Sequence, residues 1–501
     1  MINIKPTPAI QPTYISSDEM RNKFSDAMSK MYQAEVPQYG KLLELVKYVN
    51  DKTLKENPAL RAELDRIDNL NRLSEERHGA IRLGKPEELR IMGQIFNVMG
   101  MHPVHYYDLS IADIPVHSTA FRPIDNDSLK NNPFRVFTSL LRTDLIKDPQ
   151  IRLEVEEILA KRDIFTPAMR YLLKTHHRQG GLRKEQAKLF IEEALEIFRW
   201  HQEAKVSKES YDRFHKTHRL VADIVSFQGP HINHLTPRTL DIDMIQKLMP
   251  SYGINPKAVI EGPPNRKIPI LLRQTSFKAL EEEVKFKQKD GSLKTGVHTA
   301  RFGEIEYRGA ALTKKGQALY DKLLNKTRAH IKPAPDGSNA NEYINTLIEN
   351  FKEFPDDLYS LYKQGLIHVK YYVTQKGKNN IGKLGNLNLD NLIDNGYIGF
   401  SPITYEDFLP FSAAGIFSSN LGDDKTKSLQ ISPNQQAFER ALGMKILDPF
   451  DMYAAQEARS LIDSLDKLNV RMSHSWRAEL DHIINKDPFL LTTPNIPSIV
   501  A

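Results

Sequence analysis

Apolar residues recur at helical spacing over residues 17–50, through Met31, Leu42, Leu43, Leu45 and Val46, after a start (Ser17, Asp18, Glu19) that suits a capped helix with an acidic first turn. Residues 55–76 repeat the style with Leu60, Leu64, Ile67 and Leu70. The pattern then shortens. RHGAIRLG (Arg77 to Gly84) partly alternates and reads as a strand. Pro86, Glu87 and Glu88 open a helix that runs through Leu89, Met92, Ile95 and Phe96 and stops at Gly100. Strands follow at Val104 to Leu109, Val116 to Phe121 and Phe134 to Leu141. Residues 144–216 are charged and helical, an insertion or cover.

The order then returns. Leu220 to Phe227 and HINHL read as a strand ending near His234, and Thr239 to Leu248 as a helix. Ala258 to Ile260, Ile270 to Leu280 and Thr299 to Tyr307 read as further strands. The remainder is mixed. Helices are expected at 316–327, 340–364 and 450–485, a strand at Ile367 to Val373, and a Gly/Asn/Lys loop at 376–396. The expected organisation is a helical segment (1–76), a first strand–helix–three-strand unit (77–143), a helical insertion (144–216), a second such unit (217–310) and a C-terminal mixed region over the site (311–501).

Composition narrows the function. With 501 residues, 40% hydrophobic and 26% charged, the chain exceeds one ordinary core and reads as soluble and globular. It has no cysteine, which excludes disulfides, thiolate metal sites and a cysteine nucleophile. No apolar run approaches the roughly 20 residues of a membrane span, and the N-terminus lacks a signal-peptide pattern, so a cytoplasmic protein without a membrane partner is expected. A net charge of +6 without a basic block argues against nucleic acid.

The remaining chemistry lies in histidines and carboxylates. His78 sits on the first strand of unit one, His231 and His234 at the end of the first strand of unit two, and Glu304 and Glu306 on its last strand. Two histidines and one carboxylate would form a facial triad, the usual ligand set of non-haem Fe(II). Spacing alone leaves His231 and His234, and likewise Glu304 and Glu306, as alternatives. His102, His105 and His117 read as structural.

Paired units of this kind around one metal resemble the vicinal-oxygen-chelate superfamily. GEIEYRG resembles the ligand strand of its hydroxyphenylpyruvate-dioxygenase branch, where Arg follows the ligand Glu by four residues, as Arg308 follows Glu304. RHGAIRLG, GPHINHLTPRTLDID, LLRQTSFKALEE, GEIEYRGAALT and EDFLPFSAAGIF together resemble the 2-oxoadipate dioxygenase/decarboxylase family, over roughly 20–460. The resemblance implies an α+β fold in which two βαβββ units form a curved half-barrel sheet. It implies an Fe(II) enzyme that converts 2-oxoadipate and O2 to 2-hydroxyglutarate and CO2 in lysine breakdown. The implied ligands are His78, His234 and Glu304. His78 would also touch the chelated substrate, Arg82 would bind its distal carboxylate, and Phe411 would line the substrate site. His231 then becomes a catalytic positioning residue, while Arg273, Gln274 and Ser276 are candidates for the cavity wall. An oxygen-independent isomerase or lyase and a non-catalytic binding protein are the rival readings.

Overall fold

Alternation along Arg77–Leu83 decides where the sheet lies. Ile81 and Leu83 enter one core, while His78, Ala80 and Arg82 face the other way, as a period of two requires. In the computed structural model this strand is β1; the residues described are 13–66, 70–288, 290–299, 301–334, 336–385, 387–409 and 433–487. The helix Pro86–Val98 follows, then β2 (His102–Asp108), β3 (Val116–Arg122) and β4 (Arg135–Leu141). The helix starts on proline with two acids in its first turn. One of them, Glu88, accepts from Gly84 N at 2.8 Å and grips Arg162 at 2.8 and 2.7 Å, tying the turn to the insertion.

The insertion is four helices, Pro149–Lys161, Pro167–Gln179, Lys184–Phe198 and Lys208–Thr217, with a two-residue strand β5 (Glu203–Ala204). Strand β6 (Leu235–Pro237) then pairs antiparallel with β1, placing Thr236 opposite His78, while β4 pairs parallel on the other edge, placing Arg135 opposite His78 and Ser139 opposite Arg82. The sheet order is β2-β3-β4-β1-β6. Next come β7 (Leu272–Ser276), the hairpin β8 (Glu281–Lys287) and β9 (Leu293–Thr299), and β10 (Glu304–Arg308). β10 pairs antiparallel with β7, and a parallel bridge from Arg238 to Glu306 joins this pair to β6.

Several expected elements differ. Leu220 to Phe227 is not a strand: Arg219–Ser226 is a helix whose residues from Leu220 to Ser226 are all buried. The helix spans only eight residues, and a short, mostly apolar run (Leu220 to Ala222, Ile224, Val225) cannot be told from a buried strand by period alone, even though Arg219 and Asp223 share one side of it. Ala258 to Ile260 is not a strand: only its flanks pair, in isolated bridges from Pro256 to Phe277 and from Glu261 to Gln274, and Gly262, Pro263 and Pro264 keep the ladder from continuing. The expected strand at Thr299 to Tyr307 begins instead at Glu304, after Gly303, whose missing Cβ would stand 2.1 Å from the Phe277 ring. The helix over 17–50 divides at Pro37 into Ser17–Glu35 and Pro37–Glu56. The one over 340–364 divides at Pro355 into Ala340–Asn350 and Leu358–Lys363.

The C-terminal part packs the helices Lys314–His330, Pro449–Leu468 and His474–Asn485 on the antiparallel pair β11 (Val369–Val373) and β12 (Ile398–Pro402), around a core including Leu323, Phe351, Leu361, Val369 and Leu465. No described helix is long and apolar enough to cross a membrane. A buried ion network ties this part to the sheet. Glu406 accepts from Arg72 in two bonds of 3.1 Å and also from Arg135, and Glu76 accepts from Arg72 and Arg135 at 3.0 Å and Arg238 at 2.9 Å.

Burial alone would raise the Glu406 pKa, but Arg72 and Arg135 outweigh it and hold it at about 2, against 4.5 for the unperturbed group. A depressed folded pKa gives stability that is present above the unfolded value and lost as pH falls through the folded one. Denaturant titrations should therefore show Glu406-dependent stability disappearing between about pH 4.5 and 2. Glu406→Gln should flatten that limb and cost about 3–5 kcal/mol at pH 7, the usual cost of breaking a buried pair. An unchanged acid limb would assign the acid sensitivity to other groups.

Candidate metal centre

Three buried side chains from three strand-end positions converge. His78 lies on β1, His234 directly before β6, and Glu304 opens β10. His78 Nε2 is 3.0 Å and His234 Nε2 3.7 Å from Glu304 Oε2, and the two imidazoles stand nearly perpendicular, at 89°. Ligands about 2.1 Å from one ion and at right angles would lie about 3 Å apart, so the set is already close to that spacing. Gly79 makes the approach possible. A Cβ there would stand 2.6 Å from Ile232 Cδ1 and 3.0 Å from the carbonyl of His234.

Glu304 and Glu306 share a face of β10, and the structure separates their surroundings. Glu304 Oε2 accepts from Thr236 Oγ1 at 3.0 Å and Gln274 Nε2 at 2.8 Å. Glu306 lies 2.8 Å from the other nitrogen of His78, Nδ1, off the line of a good hydrogen bond, and is clasped by Arg308 at 2.7 and 2.8 Å. Burial works against the Glu306 carboxylate, but Arg308, His78 and Arg135 bring its pKa down to about 2. Burial likewise lowers His78, yet Glu306 and Glu304 more than offset it, and the imidazole titrates above its usual range. His234 is driven well below its usual range, by burial first and then by His78 and Arg82. It is therefore a neutral imidazole with a lone pair to give.

The cluster suits a divalent cation. Among the described residues, Glu304 Oε1 and both ring nitrogens of His234 are buried without a hydrogen-bond partner. Buried polar atoms rarely stay unpaired, and a cation would satisfy the carboxylate oxygen and one of the two His234 nitrogens. Two imidazoles and one carboxylate are the donors of a facial triad. Phe408 packs edge-on against His78 at 4.9 Å between ring centroids, and Phe302 lies 4.7 Å from His234.

Arg82 shares the face of His78 and is buried, with Nη1 2.6 Å from Asp223 Oδ2. His231 lies beside the same carboxylate, its Nε2 3.4 Å from Asp223 Oδ1. His298 joins it at 2.9 Å, so Asp223, His231 and His298 form a second converging group. Arg273 does not line the site. It projects from the opposite face of β7 and pairs with Asp243 at 2.6 Å, because Gln274, its neighbour in the pleat, takes the inward position. Phe411 lies outside the described residues. The sequence reading missed Thr236, Phe408 and the Asp223–His298 contact. Only the bonds themselves reveal them, since no spacing rule links a helix, a hairpin and a loop.

Comparison with known proteins gives concordant matches. The family model described as 2-oxoadipate dioxygenase/decarboxylase matches residues 24–420. The Pseudomonas putida 2-oxoadipate dioxygenase/decarboxylase is 53% identical over 458 residues, covering 91% of this chain and 98% of that protein. The Escherichia coli protein of the same description is 53% identical over 448 residues, 89% of this chain and 98% of its own. The crystal structure of hydroxyglutarate synthase from Pseudomonas putida in complex with 2-oxoadipate superposes with a TM-score of 0.84 at 52% identity, covering 91% of this chain and 99% of that one.

Metal analysis of variants should separate the close pairs. Glu304→Gln and His234→Ala should abolish metal binding. Glu306→Gln should keep the ion at an affinity lowered about 10- to 100-fold, the usual effect of removing a partner that orients a ligand. His231→Ala should keep the metal but turn over more slowly. Retention by Glu304→Gln with loss by Glu306→Gln would reverse the two assignments.

Proposed function

The chain belongs to the 2-oxoadipate dioxygenase/decarboxylase family, and from that premise we propose that it converts 2-oxoadipate and O2 to 2-hydroxyglutarate and CO2 with Fe(II) held by His78, His234 and Glu304. The observation that carries this reading is the convergence of those three buried side chains, with Glu304 Oε1 and the His234 nitrogens lacking a hydrogen-bond partner among the described residues. Fe(II) bound there would supply the activation of O2 beside a 2-oxo acid. In the overall reaction one oxygen atom enters the new carboxylate and the other becomes the hydroxyl of the neighbouring carbon.

The protein's own residues supply orientation and a dry surface. Thr236 and Gln274 fix the Glu304 carboxylate by donating to it. Glu306, held by Arg308, fixes the His78 ring from behind. Arg308 also donates to the carbonyls of Tyr405 and Asp407 at 2.8 and 3.0 Å, which keeps Phe408 against His78 and excludes water there. Arg82 is the clamp for the distal carboxylate. It stands four residues from His78 on the same strand face, and a guanidinium offers that carboxylate a two-donor fork.

Two βαβββ units in a curved sheet are part of the same reading. The parallel pairing of β1 with β4 and the parallel bridge from Arg238 to Glu306 support it, since each closes one unit's first strand against its last. The division at residues 77, 144, 217 and 311, the cytosolic setting and the place in lysine breakdown are further parts of the proposal.

Oxygen uptake with 2-oxoadipate, together with iron content and detection of 2-hydroxyglutarate, tests the function. Turnover under argon would sink it. Arg82→Ala should lower kcat/KM for 2-oxoadipate by roughly 30- to 4000-fold, from the about 2–5 kcal/mol lost when a buried charge pair is broken. Arg82→Lys should not rescue it, because an ammonium lacks the fork. Iron content and the slow turnover of a 2-oxo acid without a distal carboxylate should hardly change. Equal losses on both substrates would make Arg82 structural.

A further inference from the structure

We propose that Asp223, braced by His298 and through it by Tyr211, with His231 beside it, is the positioning residue that fixes where Arg82 presents its guanidinium. This rests on the reading of Arg82 as the distal-carboxylate clamp. An arginine side chain has many rotamers, and a clamp that must select one length of diacid has to be held in one of them. Asp223 does so from a separate element, the helix Arg219–Ser226, with Oδ2 2.6 Å from Arg82 Nη1.

The other oxygen of Asp223 is fixed as well. Oδ1 is 2.9 Å from His298 Nε2 and 3.4 Å from His231 Nε2. His298 Nδ1 is 2.8 Å from the Tyr211 hydroxyl. His298 thus links the two, with Nε2 facing Asp223 and Nδ1 facing the Tyr211 hydroxyl. Trp200 closes the cluster, edge-on to His231 at 4.7 Å and stacked on His298 at 5.9 Å. Asp223, His231, His298 and Tyr211 are all buried, so the carboxylate cannot turn to solvent. The brace gathers the helical insertion, through Tyr211, and the hairpin, through His298, behind one guanidinium.

Asp223, His231 and His298 also bring their ligand atoms within 4.8 Å of one another, close enough to hold a metal ion. The guanidinium on the same carboxylate argues for the brace. It already neutralises the acid, and a divalent ion there would sit close to a fixed positive charge.

The test uses the iron-loaded enzyme and its Asp223→Asn, Tyr211→Phe and His298→Gln variants, with 2-oxoadipate and the monocarboxylate 2-oxohexanoate as paired substrates. Asp223→Asn should raise KM for 2-oxoadipate by about tenfold or more, the size of one charged hydrogen-bonded contact, and change kcat less. Iron per chain and turnover of 2-oxohexanoate should hold. Tyr211→Phe should give the same selective pattern, smaller, and it decides the matter if Asp223→Asn fails to fold. Equal losses on both substrates, with iron retained, would overturn the brace. So would a second metal equivalent in the wild type that His298→Gln removes. If Arg82→Ala is selective and Asp223→Asn is not, only the brace fails; if Arg82→Ala is itself unselective, the clamp reading falls and the brace with it.

Discussion

A strand that turns two carboxylates and a guanidinium toward the interior can persist only if every charge has a partner there. That is the condition of β10, whose Glu304, Glu306 and Arg308 are all buried on one face. His78 meets it from β1. Its Nε2 is 3.0 Å from Glu304 and its Nδ1 2.8 Å from Glu306, so one imidazole lies between two acids that are two residues apart. This fixes the placement of β10 relative to β1. A slip of one residue would turn Ile305 toward His78 and bury Glu304 and Glu306 in the apolar layer. The short β6 fills the space between the strands, bonded to β1 along one edge and bridged to Glu306 along the other.

The same condition reaches the C-terminal part. Arg308 pairs with Glu306 and also holds the carbonyls of Tyr405 and Asp407. Arg122 on β3 holds the Asp407 carboxylate at 2.8 and 3.2 Å, and Glu406 enters the Arg72 and Arg135 network. Consecutive residues of one loop thus have their charges or carbonyls bound to the sheet. Phe408, next in the chain, has little choice but to pack on His78. The aromatic cover of the site is therefore set by ion pairs, and its position depends on the strand that carries Glu304.

Much of this was legible from sequence where local period and local chemistry agree. The alternation around His78 and Arg82, the proline-acid start at Pro86 and the charged helices of the insertion all declare themselves, because each is decided within a few residues. The convergence of His78, His234 and Glu304 followed from a family likeness and not from spacing. What failed was decided by distant neighbours. Arg219–Ser226 looks like a strand because a short, mostly apolar run fits either element and only its packing decides. Arg273 looked like a cavity residue, but the pleat of β7 turns it out to Asp243 and turns Gln274 in. Asp223 and His298 carry no mark of their meeting, since one lies on a helix and the other on a hairpin strand.

The two clusters of two histidines and one acid show why a ligand-like set is not yet a metal site. Around Glu304 the other hydrogen-bond donors are a hydroxyl and an amide, Thr236 and Gln274, which orient a carboxylate without cancelling its charge. His234 beside it is held neutral, and Oε1 of the acid has no donor among the described residues. Attraction for a cation is left in place. Around Asp223 the first neighbour is a guanidinium, and both carboxylate oxygens are taken, one by Arg82 and one by His298. The pKa of Asp223 stays well below the usual carboxylate range despite its burial, chiefly because of Arg82 and then His231. Its charge is spent inside the protein. Similar residue types at similar distances thus do different work, and the nature of the nearest donor decides which.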